Sequence, residues 1–299
     1  MNIQKVYRRF DHLQRKYRLL AFPLAVVKQY NDDEAGYHAA LLTYYGYLAL
    51  FPLLLISATV TQVVSKSRPE LQERVINAVA SYFPILGTQL ENHIQGLHKS
   101  GVALLIGIVI LLYGTRGLAA ALRRGVNSLW GIPLKQRDAF PHSAVKNIVI
   151  ILVGGLGFIV AAAVAGYIAT AGPDLWLRLL SFAADAFVLY WVFTFLLVYC
   201  LPKPVPTTQT WPAALAAAIG LLVLQFVGGY LLHHVLKHLD ALYSYFALSL
   251  GLLFWIYLQA QVVYYALEIA IVKNNKLWPR SLTGHHTAAD ERSTERAVH

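Results

Sequence analysis

Residues 111–133 read LLYGTRGLAAALRRGVNSLWGIP, in which an apolar stretch runs into three arginines, Arg116, Arg123 and Arg124. An arginine inside hydrocarbon is costly, so the stretch predicts a transmembrane helix that ends close to these cations. The arginines then have two interpretations. They anchor the helix at the membrane surface, or they hold an anionic group.

The composition is typical of a membrane protein. Hydrophobic residues make up 57% of the 299 residues and charged residues only 13%, whereas a soluble domain has about 25% charged residues. The net charge is +10, which in a membrane protein reflects topology rather than binding of nucleic acid. The single cysteine, Cys200, excludes an intrachain disulfide.

Six stretches are long and apolar enough to cross a bilayer, which takes about 20 residues. They are Ala39–Val64, Val102–Leu122, Ala144–Thr170, Ser181–Leu201, Trp211–His233 and Tyr245–Val272. The predicted fold is therefore all-α, a polytopic membrane protein with six transmembrane helices and additional amphipathic interfacial helices.

Lysine and arginine are distributed unevenly over the connections between these spans. Most of them fall in the N-terminal arm, in residues 123–143 and in the C-terminal tail, which all lie on one side. The positive-inside rule therefore predicts that both termini are cytoplasmic. The predicted organisation is a basic amphipathic arm (1–38), a transmembrane domain (39–273) with an external amphipathic segment (66–100), and a disordered tail (274–299).

A polar stripe is predicted on the second helix. Arg116, Arg123 and Asn127 follow one another at seven and four residues, so they share one face, and Arg124 lies beside them. Such a stripe, running from within the membrane to its inner surface, is suited to contact the phosphates of anionic lipids. The alternative is that these cations only anchor the helix.

Two carboxylates lie inside predicted spans, Asp185 near the outer face and Glu268 near the inner face. An intramembrane acid marks an ion or substrate path by default. By depth, Glu268 is the better partner for Arg116, and we expect these two side chains to pair. Asp185 has a second interpretation, in which Arg178 pairs with it near the outer interface.

His234 and His238 are four residues apart, a spacing at which a helix can hold a metal. No cysteine pair or established zinc motif accompanies them, and solvated histidines are the ordinary interpretation. The sequence therefore predicts no metal and no cofactor. It also contains no nucleophile–base pattern, phosphate-binding loop or basic–aromatic surface, so we expect neither an enzyme nor a nucleic-acid-binding protein.

Small residues recur at helical spacing in the third and fifth spans. They are Gly154, Gly157, Ala161 and Ala165 in the third span, and Ala213, Ala217 and Gly220 in the fifth. Small residues let membrane helices approach closely, so we expect these faces to pack against other helices. The alternative is a sliding surface of a transporter.

Four segments resemble the YihY/BrkB family of bacterial inner-membrane proteins. They are AALLTYYGYLALFPLLL (39–55), RRGVNSLWGIP (123–133), LVYCLPKPVPTTQTWPAALAAA (197–218) and YSYFALSLGLLFWIYLQAQVVYYALEIA (243–270). Members often carry YG before the last span and GAE near its end; Glu268 matches the acid, while Ser244 and Ala266 replace the glycines. The resemblance implies six transmembrane helices, cytoplasmic termini and an inner-membrane location, and it brings no catalytic residues. Some members carry the name ribonuclease BN, but no feature of this sequence supports a nuclease.

Two functions remain open from the sequence. The first is a transporter or flippase-like exporter of an anionic lipid or envelope precursor, which the arginine stripe, the intramembrane acids and the small-residue faces favour. The second is a non-transporting membrane scaffold for envelope integrity. The expected partners are membrane lipids, anionic ones included, with a second copy of the chain or envelope proteins as further partners.

Overall fold

The computed structural model describes residues 18–65, 101–169, 175–203, 205–235, 241–280 and 288–298. Within these ranges the chain forms eight α-helices, a single 3-10 turn at Leu134–Gln136, and no strand. The helices are α1 (Arg18–Asp32), α2 (Ala35–Ser65), α3 (Gly101–Leu129), α4 (His142–Ala169), α5 (Leu175–Cys200), α6 (Thr207–Val235), α7 (Ala241–Asn274) and α8 (Ala288–Val298). The predicted all-α fold is confirmed. The first 17 residues and the predicted external segment 66–100 lie outside the described residues.

The long helices α2 to α7 run alternately up and down. Helix α2 packs against α3 and α7, α4 packs against α5, and α6 packs against α5 and α7. Contacts between helix ends define one end of this bundle: Lys146 Nζ at the start of α4 donates to the Leu201 carbonyl after α5, 2.8 Å away. Asn274 Nδ2 at the end of α7 likewise donates to the Gln209 carbonyl at the start of α6, 2.8 Å away. We term this end, which also carries α1 and α8, the terminal end.

Four helices contain an apolar stretch that is long enough to cross a membrane. These stretches are His142–Ala161, Phe182–Cys200, Thr207–Gly228 and Ser249–Asn274. By length and composition, the described residues thus supply four spans rather than the six predicted. The two other predicted spans fall on α2 and α3, which have 31 and 29 residues, but many of the side chains of those spans lie outside the described residues.

Large apolar side chains cover the outer surface of these helices. Leu152, Leu156 and Ile159 on α4 are more than half exposed, as are Phe187 and Trp191 on α5. Soluble monomers rarely expose contiguous apolar patches larger than a few hundred Å², whereas lipid tails solvate such a surface. The bundle therefore has the exterior of a membrane protein.

The predicted small-residue faces are confirmed as packing surfaces. A Cβ atom added at Gly157 would lie 2.4 Å from Val192 of α5, and one at Gly220 would lie 2.6 Å from Val262 of α7. The alanines on these faces with described side chains are buried, namely Ala161, Ala213 and Ala217. The side chain of Ala165 lies outside the described residues. Close approach supplies the dispersion contacts that hold helices together in lipid, where no hydrophobic driving force acts between them.

Gly125 of α3 lies directly against Tyr264 of α7. A Cβ atom there would be 2.2 Å from Tyr264 Oη and 2.6 Å from its Cε1, and the tyrosine is fully buried, so neighbouring side chains hold its ring in place. We expect Gly125→Ala to lower the free energy of unfolding by about 1–2 kcal/mol, the usual cost of overpacking. The melting temperature in detergent should fall by roughly 3–6 °C.

Gly155 of α4 provides the matched control for this substitution. A Cβ atom at Gly155 would meet nothing within 4 Å. Gly155→Ala should therefore leave the melting temperature unchanged or raise it, since alanine favours a helix by up to about 1 kcal/mol over glycine. Equal melting temperatures for the two variants would contradict the close contact between α3 and α7.

The C-terminal segment differs from the predicted disordered tail, because α8 is folded against α1. Arg280 Nε donates to Asp290 Oδ1 at 3.0 Å, and its Nη1 donates to Gln29 Oε1 at 2.6 Å. Arg280 Nη2 lies 3.0 Å from Asp32 Oδ2, and Lys28 Nζ lies 2.8 Å from Asp290 Oδ1. We term these five residues the terminal clasp. The polar composition of the tail indicated disorder, but the same charges find partners on α1 that composition cannot reveal.

Candidate functional site

The three arginines of the predicted stripe have different surroundings. Arg116 and Arg124 are exposed on α3. The side chain of Arg123 is only 11% exposed, and its Nη1 lies 3.5 Å from Asp138 Oδ2. Asn127 is buried. The four residues therefore do not form one continuous exposed surface, and their contact with lipid phosphates stays a prediction.

Asp138 and Lys146 together link three helix ends at the terminal end. Asp138 Oδ2 contacts Arg123 at the end of α3 and lies 2.8 Å from Lys146 Nζ at the start of α4. Lys146 in turn donates to the Leu201 carbonyl after α5. We term Arg123, Asp138 and Lys146 the charge cluster. Its geometry gives Arg123 a structural contact that the spacing of Arg116, Arg123 and Asn127 along α3 does not indicate.

The two residues of the predicted pair, Arg116 and Glu268, have different surroundings, and their pairing stays a prediction. Glu268 is fully buried on α7, whereas Arg116 is exposed on α3. A long arginine side chain can reach a polar region from within a span, which removes its need for a buried carboxylate. Asp185 is buried on α5; the side chain of Arg178 lies outside the described residues, so their pairing stays a prediction.

A row of polar side chains runs along α7. Its members are Ser249, Tyr257, Gln261, Tyr265 and Glu268. At 3.6 residues per turn, their successive steps of eight, four, four and three residues place them within an arc of roughly 160° around the helix. We term this row the polar seam. It lies within the apolar stretch Ser249–Asn274.

Tyr30 of α1 completes the polar seam near the terminal end. Its hydroxyl donates to Gln261 Oε1 at 2.7 Å, and Gln261 Nε2 donates to the Tyr257 hydroxyl. The Tyr30 ring stacks on Tyr265 with centroids 4.0 Å apart. These contacts join α1 to the last span by polar groups, which need partners where water is excluded.

The seam continues toward the middle of the bundle through α2. The hydroxyl of Tyr47 forms a hydrogen bond with Ser249 Oγ. Ser249 lies 12 residues before Gln261, so the two polar contacts are about 18 Å apart along α7. The two contacts also lie about 120° apart around the helix axis, so the polar seam winds around α7 while it covers much of the length of the span.

The surroundings of two side chains at the terminal end shift their pKa values in the direction that favours the neutral form. Burial first, and then the neighbouring tyrosines and Glu268, raise the pKa of Tyr30. Tyr30 consequently retains the proton that it donates to Gln261. Burial, reinforced by the positive charge of Arg137, lowers the pKa of His38, which favours its uncharged form.

The two histidines at metal-binding spacing, for which the sequence predicts no metal, cannot be placed. The side chains of His234 and His238 lie outside the described residues, and their metal-binding spacing stays a prediction. In the described part of the chain, no group of three or more His, Cys, Asp or Glu side chains is close enough to hold a metal ion. The candidate site that the structure does define consists of the hydroxyl, amide and carboxyl groups of the polar seam.

Comparison with known proteins identifies relatives of this chain. The family profile described as "Virulence factor BrkB" matches residues 26–291. The chain is 24% identical over 261 residues to a "UPF0761 membrane protein" of Alcanivorax borkumensis, an alignment that covers 81% of this chain and 58% of that protein. It is 22% identical over 266 residues to "Inner membrane protein YhjD" of Escherichia coli, which covers 82% of this chain and 78% of that protein.

The alignment with the first of these relatives covers only part of that protein. The chain spans less than two thirds of the length of the Alcanivorax relative. No solved structure matches the chain.

Proposed function

The chain belongs to the virulence factor BrkB family, as its motifs indicated, and we propose that it is an inner-membrane transporter that moves an anionic lipid or another anionic envelope precursor. In this proposal α2 and α3 add two spans to the four defined by length and composition, and the terminal end faces the cytoplasm. The basic connections at that end support the orientation. The proposal includes neither a catalytic reaction nor a cofactor.

The polar seam is the observation that carries this proposal. Polar and ionisable groups inside a span are expensive, and they commonly face an interior path for a substrate or ion. From Ser249 to Glu268 the seam extends about 29 Å along α7, close to the thickness of the hydrocarbon core. The row supplies polar contacts over this length, and its widest gap, about 12 Å, lies between Ser249 and Tyr257.

The chemistry of the polar seam suits a polar headgroup. Tyrosine hydroxyls and the Gln261 amide provide neutral donors and acceptors, which can replace water around a phosphate or sugar group without introducing a fixed charge. The exposed cations Arg116 and Arg124 on α3 favour an anionic headgroup over a cationic one.

A lipid-transfer assay tests the proposal. The full chain is reconstituted in vesicles that contain fluorescently labelled phosphatidylglycerol, and an impermeant reductant bleaches the label in the outer leaflet. We expect the protein to expose inner-leaflet label to bleaching. Gln261→Leu should slow this transfer about tenfold, because it removes the amide that joins Tyr30 to Tyr257 and with it two hydrogen bonds, each worth about 0.5–1.5 kcal/mol.

Thr194→Val is the matched control. Thr194 is buried on α5 and donates to the Tyr190 carbonyl of its own helix at 2.8 Å, so the substitution removes a polar group away from the polar seam. Transfer by this variant should equal that of the unmodified protein. Absence of transfer by the unmodified protein would reject transport of this lipid class, and equal slowing by both variants would reject the role of the seam.

The terminal clasp favours the scaffold as a second candidate. It holds α8, a helix beyond the last span, in a fixed position against α1, and this surface can dock a partner. Photo-crosslinkers at the exposed positions Glu291 and Arg292 test it in intact cells. A crosslinked envelope protein that disappears when α8 is released would support the scaffold, and the absence of any crosslink would reject it.

A further inference from the structure

An apolar groove lies on the outside of the bundle, where α1, α6 and α7 meet near the terminal end. Its volume is about 500 Å³, within the range of roughly 300–1,000 Å³ that is usual for small-molecule sites. One side is formed by Trp211, Leu215 and Ile219, which follow one another at four-residue steps on α6. Phe22 and Trp278, in edge-to-face contact with centroids 5.3 Å apart, also line it.

The groove carries a single charged side chain, Lys273 of α7. Its Nζ lies 4.0 Å from the ring centroid of Trp211. Lys273 is exposed, and none of the ion pairs among the residues that the structure describes includes it. The groove therefore combines an apolar trough with a cation that has no protein counter-charge in the described part of the chain.

The position of the groove indicates what can occupy it. Lys273 and Trp211 lie in the terminal turns of the apolar stretches Ser249–Asn274 and Thr207–Gly228, at the depth where lipid headgroups meet hydrocarbon. Tryptophan and lysine are the side chains that favour this depth. From Trp211 to Ile219 the groove then runs about 12 Å along α6 toward the interior of the membrane.

We infer that this groove binds one anionic phospholipid, with its phosphate at Lys273 and an acyl chain along Leu215 and Ile219. The charge of Lys273 matches the phosphate of such a lipid, and the apolar trough matches its acyl chain. Each lies at the membrane depth that its part of the lipid occupies. A zwitterionic lipid fits the trough but carries a second, positive headgroup charge that Lys273 repels. The inference is separate from transport, because the groove lies on the outer surface of α6 and α7 rather than along the polar seam.

Native mass spectrometry of the full chain in detergent tests this inference. The protein is titrated with phosphatidylglycerol or with phosphatidylcholine that has the same acyl chains. We expect one site at which phosphatidylglycerol binds about fivefold more tightly, the effect of one basic residue near an anionic surface. Lys273→Gln should abolish this preference, while Lys203→Gln, which neutralises an exposed lysine outside the groove, should keep it.

Ala216→Leu provides a second variant that leaves the charge in place. Ala216 lines the groove, so the added bulk should weaken the binding of both lipids. Equal affinities of the two lipids for the unmodified protein would overturn the inference. It would also be overturned if Lys273→Gln kept the preference, or if a second copy of the chain covered the groove in a lipid-free dimer.

Discussion

Replacing Arg280 with alanine is expected to release α8 from α1 and to speed hydrogen exchange of the α8 amides by about a hundredfold. Arg280 is only 5% exposed, and its guanidinium contacts Asp290, Gln29 and Asp32. Breaking a buried ion pair costs about 3–5 kcal/mol. Because Asp32 is 43% exposed, we take the lower end of this range, about 3 kcal/mol. A loss of this size raises the local opening equilibrium of α8, and with it the exchange rate, about a hundredfold.

Arg292→Ala is the matched control for the terminal clasp. Arg292 is an exposed arginine of α8 whose Nε donates to the Ala288 carbonyl of the same helix, 3.1 Å away. Its removal should leave exchange across α8 nearly unchanged. If exchange in α8 were the same in the Arg280 variant as in the unmodified protein, the clasp would not be what holds this helix.

Asp138→Asn is expected to lower the free energy of unfolding by about 2–3 kcal/mol. The substitution removes the carboxylate from the charge cluster and leaves Arg123 and Lys146, whose side chains are 11% and 20% exposed, as neighbouring like charges. The loss of a fully buried partner costs about 3–5 kcal/mol, and the partial exposure of these side chains reduces that figure. The melting temperature in detergent should fall by roughly 5–10 °C.

Two further variants identify the cause of this loss. Asp32→Asn removes a carboxylate that is 43% exposed, so its ion pair should contribute at most about 1 kcal/mol. Adding Lys146→Met to Asp138→Asn removes one of the two uncompensated cations and should recover part of the stability. A double variant that melts below the single variant would indicate that Lys146 stabilises the fold through its contact with the Leu201 carbonyl instead.

The positions of the helices follow from the sequence to within a few residues where an apolar run is uninterrupted. The third predicted span, Ala144–Thr170, corresponds to α4, His142–Ala169. A continuous apolar run of this length forms a helix in a membrane, because only a helix satisfies all of its backbone polar groups there. The small-residue faces were also predictable. Helix spacing alone places Gly157 and Gly220 on the faces that other helices contact.

The partners of charged side chains did not follow from the sequence. Helix depth indicated Glu268 as the partner of Arg116, but depth does not fix the direction in which a long side chain extends. Arg123 contacts Asp138, the one acidic residue in the basic connection 123–143. An isolated acidic residue among basic ones indicates an ion pair with one of them. A count of basic residues, which predicts only the orientation in the membrane, does not show this.

The polar seam was predicted only at Glu268. Tyr257, Gln261 and Tyr265 recur at four-residue steps in YLQAQVVYY (257–265), and this spacing was the available signal. This spacing is hard to recognise as polar, because the tyrosine ring is apolar enough for a membrane span. The tyrosine hydroxyl indicates a polar contact only when its hydrogen-bond partner is known. That partner, Tyr30, lies 231 residues away in the chain, and no local pattern relates the two.

The terminal clasp also constrains the order in which the protein can be assembled. Gln29 and Arg280 are separated by 251 residues, and at about 5–20 residues per second the ribosome needs roughly 10–50 s to make the intervening chain. During that time the inward-facing side of α1 has neither Arg280 nor Asp290 to meet its polar groups. Formation of the clasp is therefore a late event in biogenesis, and it can occur only on a chain that has been translated through its last span.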